Sequence, residues 1–194
     1  MRKTNVIVIG MSLALALAPA SLMAQQREIS VDLRGGYSVP FGDFGDNVGN
    51  DFGFGAGVVL SLTPMIGIYG GWARDTFTCD VVTCDDDSQL HVQGFEAGAK
   101  FILPSDTRAL PWAKAGVVYH TVEFDSALGD FESDRNLGFQ AGIGMDFPLG
   151  EVLSVSPGVR VTLLDVGDDD DFFPEPEVRY VTFDIAAHIH FPRN

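Results

Sequence analysis

The sequence predicts an all-β protein folded as an eight-stranded antiparallel up-and-down transmembrane β-barrel, and three observations carry that prediction. The last stretch, Glu177 to Phe191, alternates without a break: Val181, Phe183, Ile185, Ala187, Ile189 and Phe191 fall on one face, Tyr180, Thr182, Asp184, Ala186, His188 and His190 on the other. Seven more stretches alternate in the same way, joined by short and long connections in strict turn. After residue 24 no segment is long and apolar enough to cross a bilayer as a helix, so only a closed barrel would take this chain through one.

Residues 1–24 have the layout of a secretory signal: Arg2 and Lys3, an apolar run from Val6 to Ala18, then Pro19 and small residues up to Ala24, where cleavage is expected. Residues 25–194 then suit one barrel domain. The first strand sets Ile29, Val31, Leu33 and Tyr37 against Ser30, Asp32, Arg34, Gly36 and Ser38, and Pro40 with Gly42 to Asp46 breaks it. The second sets Phe52, Phe54, Ala56, Val58, Leu60 and Leu62 against Gly53, Gly55, Gly57, Val59 and Ser61, and turns at Thr63-Pro64. The third, about Met65 to Thr76, has Ile66, Ile68 and Trp72 on its apolar face. The fourth, about Gln89 to Leu103, sets Phe95, Ala97, Ala99 and Phe101 against Gly94, Glu96, Gly98 and Lys100. The fifth, about Ala109 to Phe124, sets Ala113, Ala115, Val117 and Tyr119 against Lys114, Gly116, Val118 and His120. The sixth, about Arg135 to Phe147, sets Leu137, Phe139, Ala141, Ile143 and Met145 against Gly138, Gln140, Gly142, Gly144 and Asp146. The seventh, about Val152 to Val166, sets Leu153, Val155, Val159, Val161 and Leu163 against Ser154, Ser156, Gly158, Arg160 and Thr162, with a bulge or weak point expected at Pro157.

Which face is outside is decided by the second one. It is crowded with glycine and serine and would make a poor water-exposed coat, but it suits the narrow lumen of eight strands. Its charges nearly cancel: Asp32, Glu96, Asp146 and Asp184 against Arg34, Lys100, Lys114 and Arg160. Ions in such a tube must pair, since each unpaired one costs several kcal/mol, so these eight are expected to form an internal ion network. Tyr37, Phe52, Trp72 and Tyr119 near the loop ends, and Phe101, Phe147 and Phe191 near the turn ends, are placed as two interfacial girdles.

With these features in hand, the chain resembles the small bacterial outer-membrane barrel family of OmpA/OmpX type, the porin-like outer-membrane β-barrel domain proteins. The resemblance rests on Gly35-Gly36-Tyr37-Ser38-Val39-Pro40 with Gly42-Asp43-Phe44, the Leu62-Thr63-Pro64 turn and the terminal strand ending at Phe191. It implies residence in the bacterial cell outer membrane, insertion by the outer-membrane assembly machinery, and a stable monomeric barrel with variable loops. Pro192-Arg193-Asn194 after the final aromatic departs from the usual pattern of the insertion signal.

The whole chain carries 12 bases and 27 acids, a formal charge of −15, and removal of Arg2 and Lys3 leaves 10 bases. That balance argues against nucleic acid as a partner. Most acids lie in or beside the four long loops, where carboxylates are candidate ligands for divalent cations such as Ca²⁺ or Mg²⁺. The run Asp168, Asp169, Asp170 and Asp171 lacks the ligand spacing of a calcium loop, and a solvated acidic surface is the favoured reading. Cys79 and Cys84, in an acidic loop, predict a local disulfide in an oxidising compartment. Arg74, Arg135 and Arg179 share the outward face at the loop ends, where they would form a belt pairing with lipopolysaccharide phosphates or would neutralise the acidic loops. For catalysis, His120 with Ser126 and Asp125 is the one grouping at the rim, and it matches no nucleophile motif. The sequence therefore predicts no cofactor and a non-enzymatic barrel with acidic extracellular loops, serving envelope structure or surface interaction. A narrow passive pore for small solutes is the second reading, and a lipid-modifying enzyme the third.

Overall fold

The computed structural model describes residues 29–46, 48–78, 89–125, 131–133, 135–165 and 177–191. Eight long strands form one antiparallel sheet: β1 (Ile29–Pro40), β2 (Asp51–Thr63), β3 (Ile66–Thr78), β4 (Gln89–Ile102), β5 (Leu110–Asp125), β7 (Asn136–Pro148), β8 (Leu153–Asp165) and β9 (Glu177–Phe191). The two-residue β6 (Phe131–Glu132) pairs only with the loop end of β5, at Glu123 and Phe124. Each long strand pairs with its neighbours in sequence, and β9 pairs with β1 from Ile29↔Phe191 to Pro40↔Tyr180, which closes the barrel.

The register fixes the shape. Starting at Ser30 and stepping through Val59, Tyr69, Gly98, Gly116, Gln140, Thr162 and Tyr180 leads back to β1 at Pro40, ten residues further along. That shear tilts eight strands by about 40° and leaves an interior that side chains fill. Along β7 the apolar residues from Leu137 to Phe147 then rise about 25 Å, the height of a membrane-facing band.

The two faces divide as period-2 alternation requires. Phe52, Leu137, Phe139, Ile143 and Ile185 project outward with 60–68% of their surface uncovered by protein. Arg34, Glu96, Lys100, Gln140, Asp146, Arg160, Asp184 and His188 point inward and are buried. An apolar exterior around a charged interior is the inverse of a water-soluble barrel, and it matches a wall facing lipid.

Of the two alternatives at Pro157, a bulge or a weak point, the ladder shows the weak point. The register of β8 with β9 runs unbroken through Pro157↔Ile185. Against β7 the ladder stops after Gly144↔Gly158 and resumes in the same register at Phe147↔Val155, so Pro157 marks a gap in hydrogen bonding and no bulge. A proline without an N–H cannot complete that ladder, and it stands on the exposed face. The register shift lies elsewhere, between Ser61 and Thr63, where Thr63 Oγ1 accepts bonds from the N–H of Met65 (3.3 Å) and Ile66 (3.0 Å) to hold the turn.

Candidate functional site

The middle of the lumen is organised around Glu96 on β4. Arg34 on β1 grips it with both arms of its guanidinium, Nη1 to Oε1 at 2.8 Å and Nη2 to Oε2 at 2.7 Å. Arg160 on β8 approaches Oε2 at 3.4 Å and extends its Nε to Asp184 on β9 at 3.5 Å, while Gln140 on β7 donates to Oε2 at 3.0 Å. One carboxylate thus ties four strands across the barrel by charge-assisted bonds, which are strong because water is excluded. Nearer the turns, Lys100 pairs with Asp146 at 2.8 Å, and His188 lies between Asp32 (3.3 Å) and Asp146 (3.5 Å). Asp32 also lies 3.5 Å from Arg34.

Lys114 is held differently. Among the described residues it meets no carboxylate at ion-pair distance, and its ammonium sits 5.5 Å from the Tyr69 ring centroid and 5.7 Å from that of Trp112. Trp112 also lies under Lys100 and donates its indole N–H to Ser156 Oγ at 2.8 Å. Glycine makes the space for these groups. A Cβ on Gly55 would fall 2.9 Å from Arg34 Nη2, so any larger residue there displaces the guanidinium from Glu96.

Little open volume remains at this level. A cavity of about 30 Å³ lies among Asp32, Arg34, Glu96, Lys114, Asp184 and His188, room for about two waters. At the turn end the barrel opens into a bowl of about 810 Å³, lined by Leu62, Met65 and Leu103 at its rim and by Asp146, Ser154 and His190 deeper in.

The loop end is sealed by an apolar plug that the sequence reading did not anticipate. Phe77, Val92, Val118, Leu164, Val178 and Tyr180 point inward and pack together, and Val48 from the β1–β2 connection is buried among them. Phe44 and Tyr180 meet Phe77 edge to face, at 5.3 and 5.2 Å between centroids. The connection is tied down by backbone bonds from Phe41 N to Arg179 O (3.0 Å) and from Gly49 N to Thr78 O (2.7 Å). Beneath the plug, Asp75 accepts from Ser38 Oγ (2.7 Å) and Tyr180 OH (3.0 Å). Asp75, an acid beside one of the long loops, is thus 1% exposed. Parity carried the signal for all of these, since Phe77, Val92, Val118, Leu164 and Val178 have inward positions at the loop ends of their strands.

The other candidates fall as follows. His120 is inward and 1% exposed, and neither ring nitrogen has a hydrogen-bond partner among the described residues. Ser126 and the side chain of Asp125 lie outside the described residues, as do Cys79, Cys84, the run Asp168 to Asp171 and the signal segment. Among the described residues no three His, Cys, Asp or Glu side chains are placed to share a metal ion. Arg74 on β3, Arg135 just before β7 and Arg179 on β9 all stand on the outward face, with the Arg135 guanidinium 5.9 Å from the Tyr119 ring.

Known proteins share this architecture. Neisserial surface protein A is similar over 84% of this chain and 97% of its own, at 12% identity and a TM-score of 0.66. The N-terminal β-barrel domain of OprF from Pseudomonas aeruginosa is similar over 86% and 98%, at 10% identity and a TM-score of 0.57. Ail of Yersinia pestis, the attachment invasion locus protein, solved with the heparin analogue sucrose octasulfate, is similar over 86% and 100%, at 14% identity and a TM-score of 0.56. No curated protein matches the chain in sequence. At these identities the structures speak for the fold alone. The sequence itself matches the outer membrane protein beta-barrel domain over residues 11–191, and the chain belongs to that family of bacterial outer-membrane barrels.

Proposed function

We propose that this protein is a non-enzymatic outer-membrane barrel that presents acidic loops outside the cell and serves envelope structure or surface interaction, without passing solutes. The apolar plug carries this reading. Phe77, Tyr180 and their neighbours fill the loop end of the lumen, and the Glu96 cluster fills the middle, so a solute entering the bowl meets two successive barriers. Export by a cleavable signal peptide, folding by the outer-membrane assembly machinery, a Cys79–Cys84 disulfide and contact of the acidic loops with divalent cations complete the proposal. Its lipid partners are those of the outer membrane, lipopolysaccharide among them, and it acts as a monomer.

The second reading, a narrow passive pore, draws on the wide bowl at the turn end. Conductance separates the two. The mature protein, beginning at Gln25, is expected to stay silent in planar bilayers at physiological salt. Discrete channel steps from the wild-type protein would replace the sealed barrel with the pore.

A further inference from the structure

Four neighbouring strands carry a polar row across the outer wall. Arg74 on β3 is the register partner of Gln93 on β4, and Gln93 is the partner of Thr121 on β5. Arg135 immediately precedes the Asn136↔His120 pair and so falls beside Thr121. Two residues nearer the turns, Trp72, Phe95, Tyr119 and Leu137 are partners across the same four strands. The wall changes there from an aromatic ledge to a row with an arginine at each end and the Gln93 amide between, while the Thr121 hydroxyl is buried and donates to the Gln93 carbonyl at 3.4 Å.

Neither arginine meets a carboxylate at ion-pair distance among the described residues, although the chain carries a charge of −15. Among the described side chains the acid beside this row is Glu123, two residues beyond Thr121, and its carboxylate accepts from the Gln93 side-chain amide. Arg135 stacks over Tyr119, which steadies the guanidinium, and no carboxylate among the described residues takes its N–H fork. Arg74 is flanked by Phe54, its partner on β2, which packs on Trp72 at 5.8 Å.

Three strand spacings of about 4.8 Å separate the two arginines by about 14 Å along the row. We propose that Arg74 and Arg135, with Gln93 between them, form a site for the head group of an outer-leaflet glycolipid, a disaccharide with a phosphate at each end. Each guanidinium takes one phosphate, the sugars lie over Gln93 between them, and the acyl chains run down over the ledge of Trp72, Phe95 and Tyr119. Because the strands tilt, the row runs obliquely and the phosphate at Arg135 lies farther from the apolar band than the one at Arg74. Arg179, on β9, lies two strands beyond β7 and outside the row, so the three arginines do not act as one even belt. The proposal rests on the membrane orientation given above, with the long loops outside.

Native mass spectrometry of the detergent-purified mature barrel tests it, with bis-phosphorylated lipid A, its monophosphorylated form and inorganic phosphate as probes. The wild type should retain the bis-phosphorylated lipid about tenfold more strongly than the monophosphorylated one, and Arg74→Gln or Arg135→Gln should each remove about that preference. Arg179→Gln should leave it unchanged. Equal retention of the two lipids, equal losses in all three variants, or displacement by inorganic phosphate at lipid-equivalent concentration would overturn the site. Heat-modifiable migration of each form on a detergent gel reports folding. A wild type that lacked that shift would overturn the membrane reading itself, and the lipid site with it.

Discussion

Glu96 shows how much one inward residue does in so narrow a tube. Its carboxylate receives Arg34, Arg160 and Gln140, and nothing else among the described residues holds those two guanidinium groups together at the barrel centre. Glu96→Gln keeps the volume but leaves two buried cations sharing Asp184 and Asp32, so it should cost about 3–5 kcal/mol. Lys114→Met should cost less than about 1 kcal/mol, because among the described residues Lys114 meets no carboxylate at ion-pair distance and its ammonium lies over the Tyr69 and Trp112 rings. Urea titration of the barrel in vesicles reads both values, and equal losses would show that Lys114 belongs to the ionic network after all. Strand parity assigns the eight charged residues to the inner face from sequence. Their pairing was not legible, because which side chains meet across the lumen depends on the shear, and neither loop lengths nor alternation encode a ten-residue stagger. Tyr69 and Trp112 were overlooked for a simpler reason: aromatic residues on the polar face do not stand out beside the charges they support.

At the scale of the elements, the plug shows where alternation misleads and Pro157 where it does not. Reading each strand as apolar outside and polar inside described the middle of the barrel well. It passed over the loop ends of β3, β4, β5, β8 and β9, where the inward positions become Phe77, Val92, Val118, Leu164, Val178 and Tyr180. There the strands leave the polar lumen and need an interior of their own, which the β1–β2 connection completes with Val48 and Phe44. Phe77 is fully buried and touches both Phe44 and Tyr180, so Phe77→Ala should destabilise the barrel by about 3–5 kcal/mol, measured by the same titration. The variant should remain silent in planar bilayers, since the Glu96 cluster still blocks the lumen below; a conducting Phe77→Ala barrel would make the plug the sole barrier. Pro157 reads in sequence as a bulge or a weak point, and it is the weak point: the ladder to β7 is interrupted there while β9 holds its register on the other side. A central strand has two neighbours, and one intact ladder is enough to keep the other aligned.

For the whole molecule the deciding question is what lies against the outer wall. Ile143 stands near the middle of the apolar band on β7, outward and 65% uncovered by protein, between Phe139 and Phe147 on the same face. If lipid covers that wall, an arginine there must leave its water behind, and Ile143→Arg should destabilise the barrel by about 2–4 kcal/mol in vesicles. If water covered it, the same change would exchange an exposed apolar side chain for a solvated charge and cost almost nothing. Gly144, the next residue, faces inward, where a Cβ would meet the Trp112 ring, so Gly144→Arg would report lumen packing instead and cannot serve as the control. The proper comparison is Leu149→Arg, in the exposed turn after β7, outside the band, where the expected cost is within about 0.5 kcal/mol. A large loss at Ile143 with none at Leu149 places lipid on the wall. Equal, small losses at both would mean that the exposed faces of Phe139, Ile143 and Ile185 are covered by something other than a bilayer.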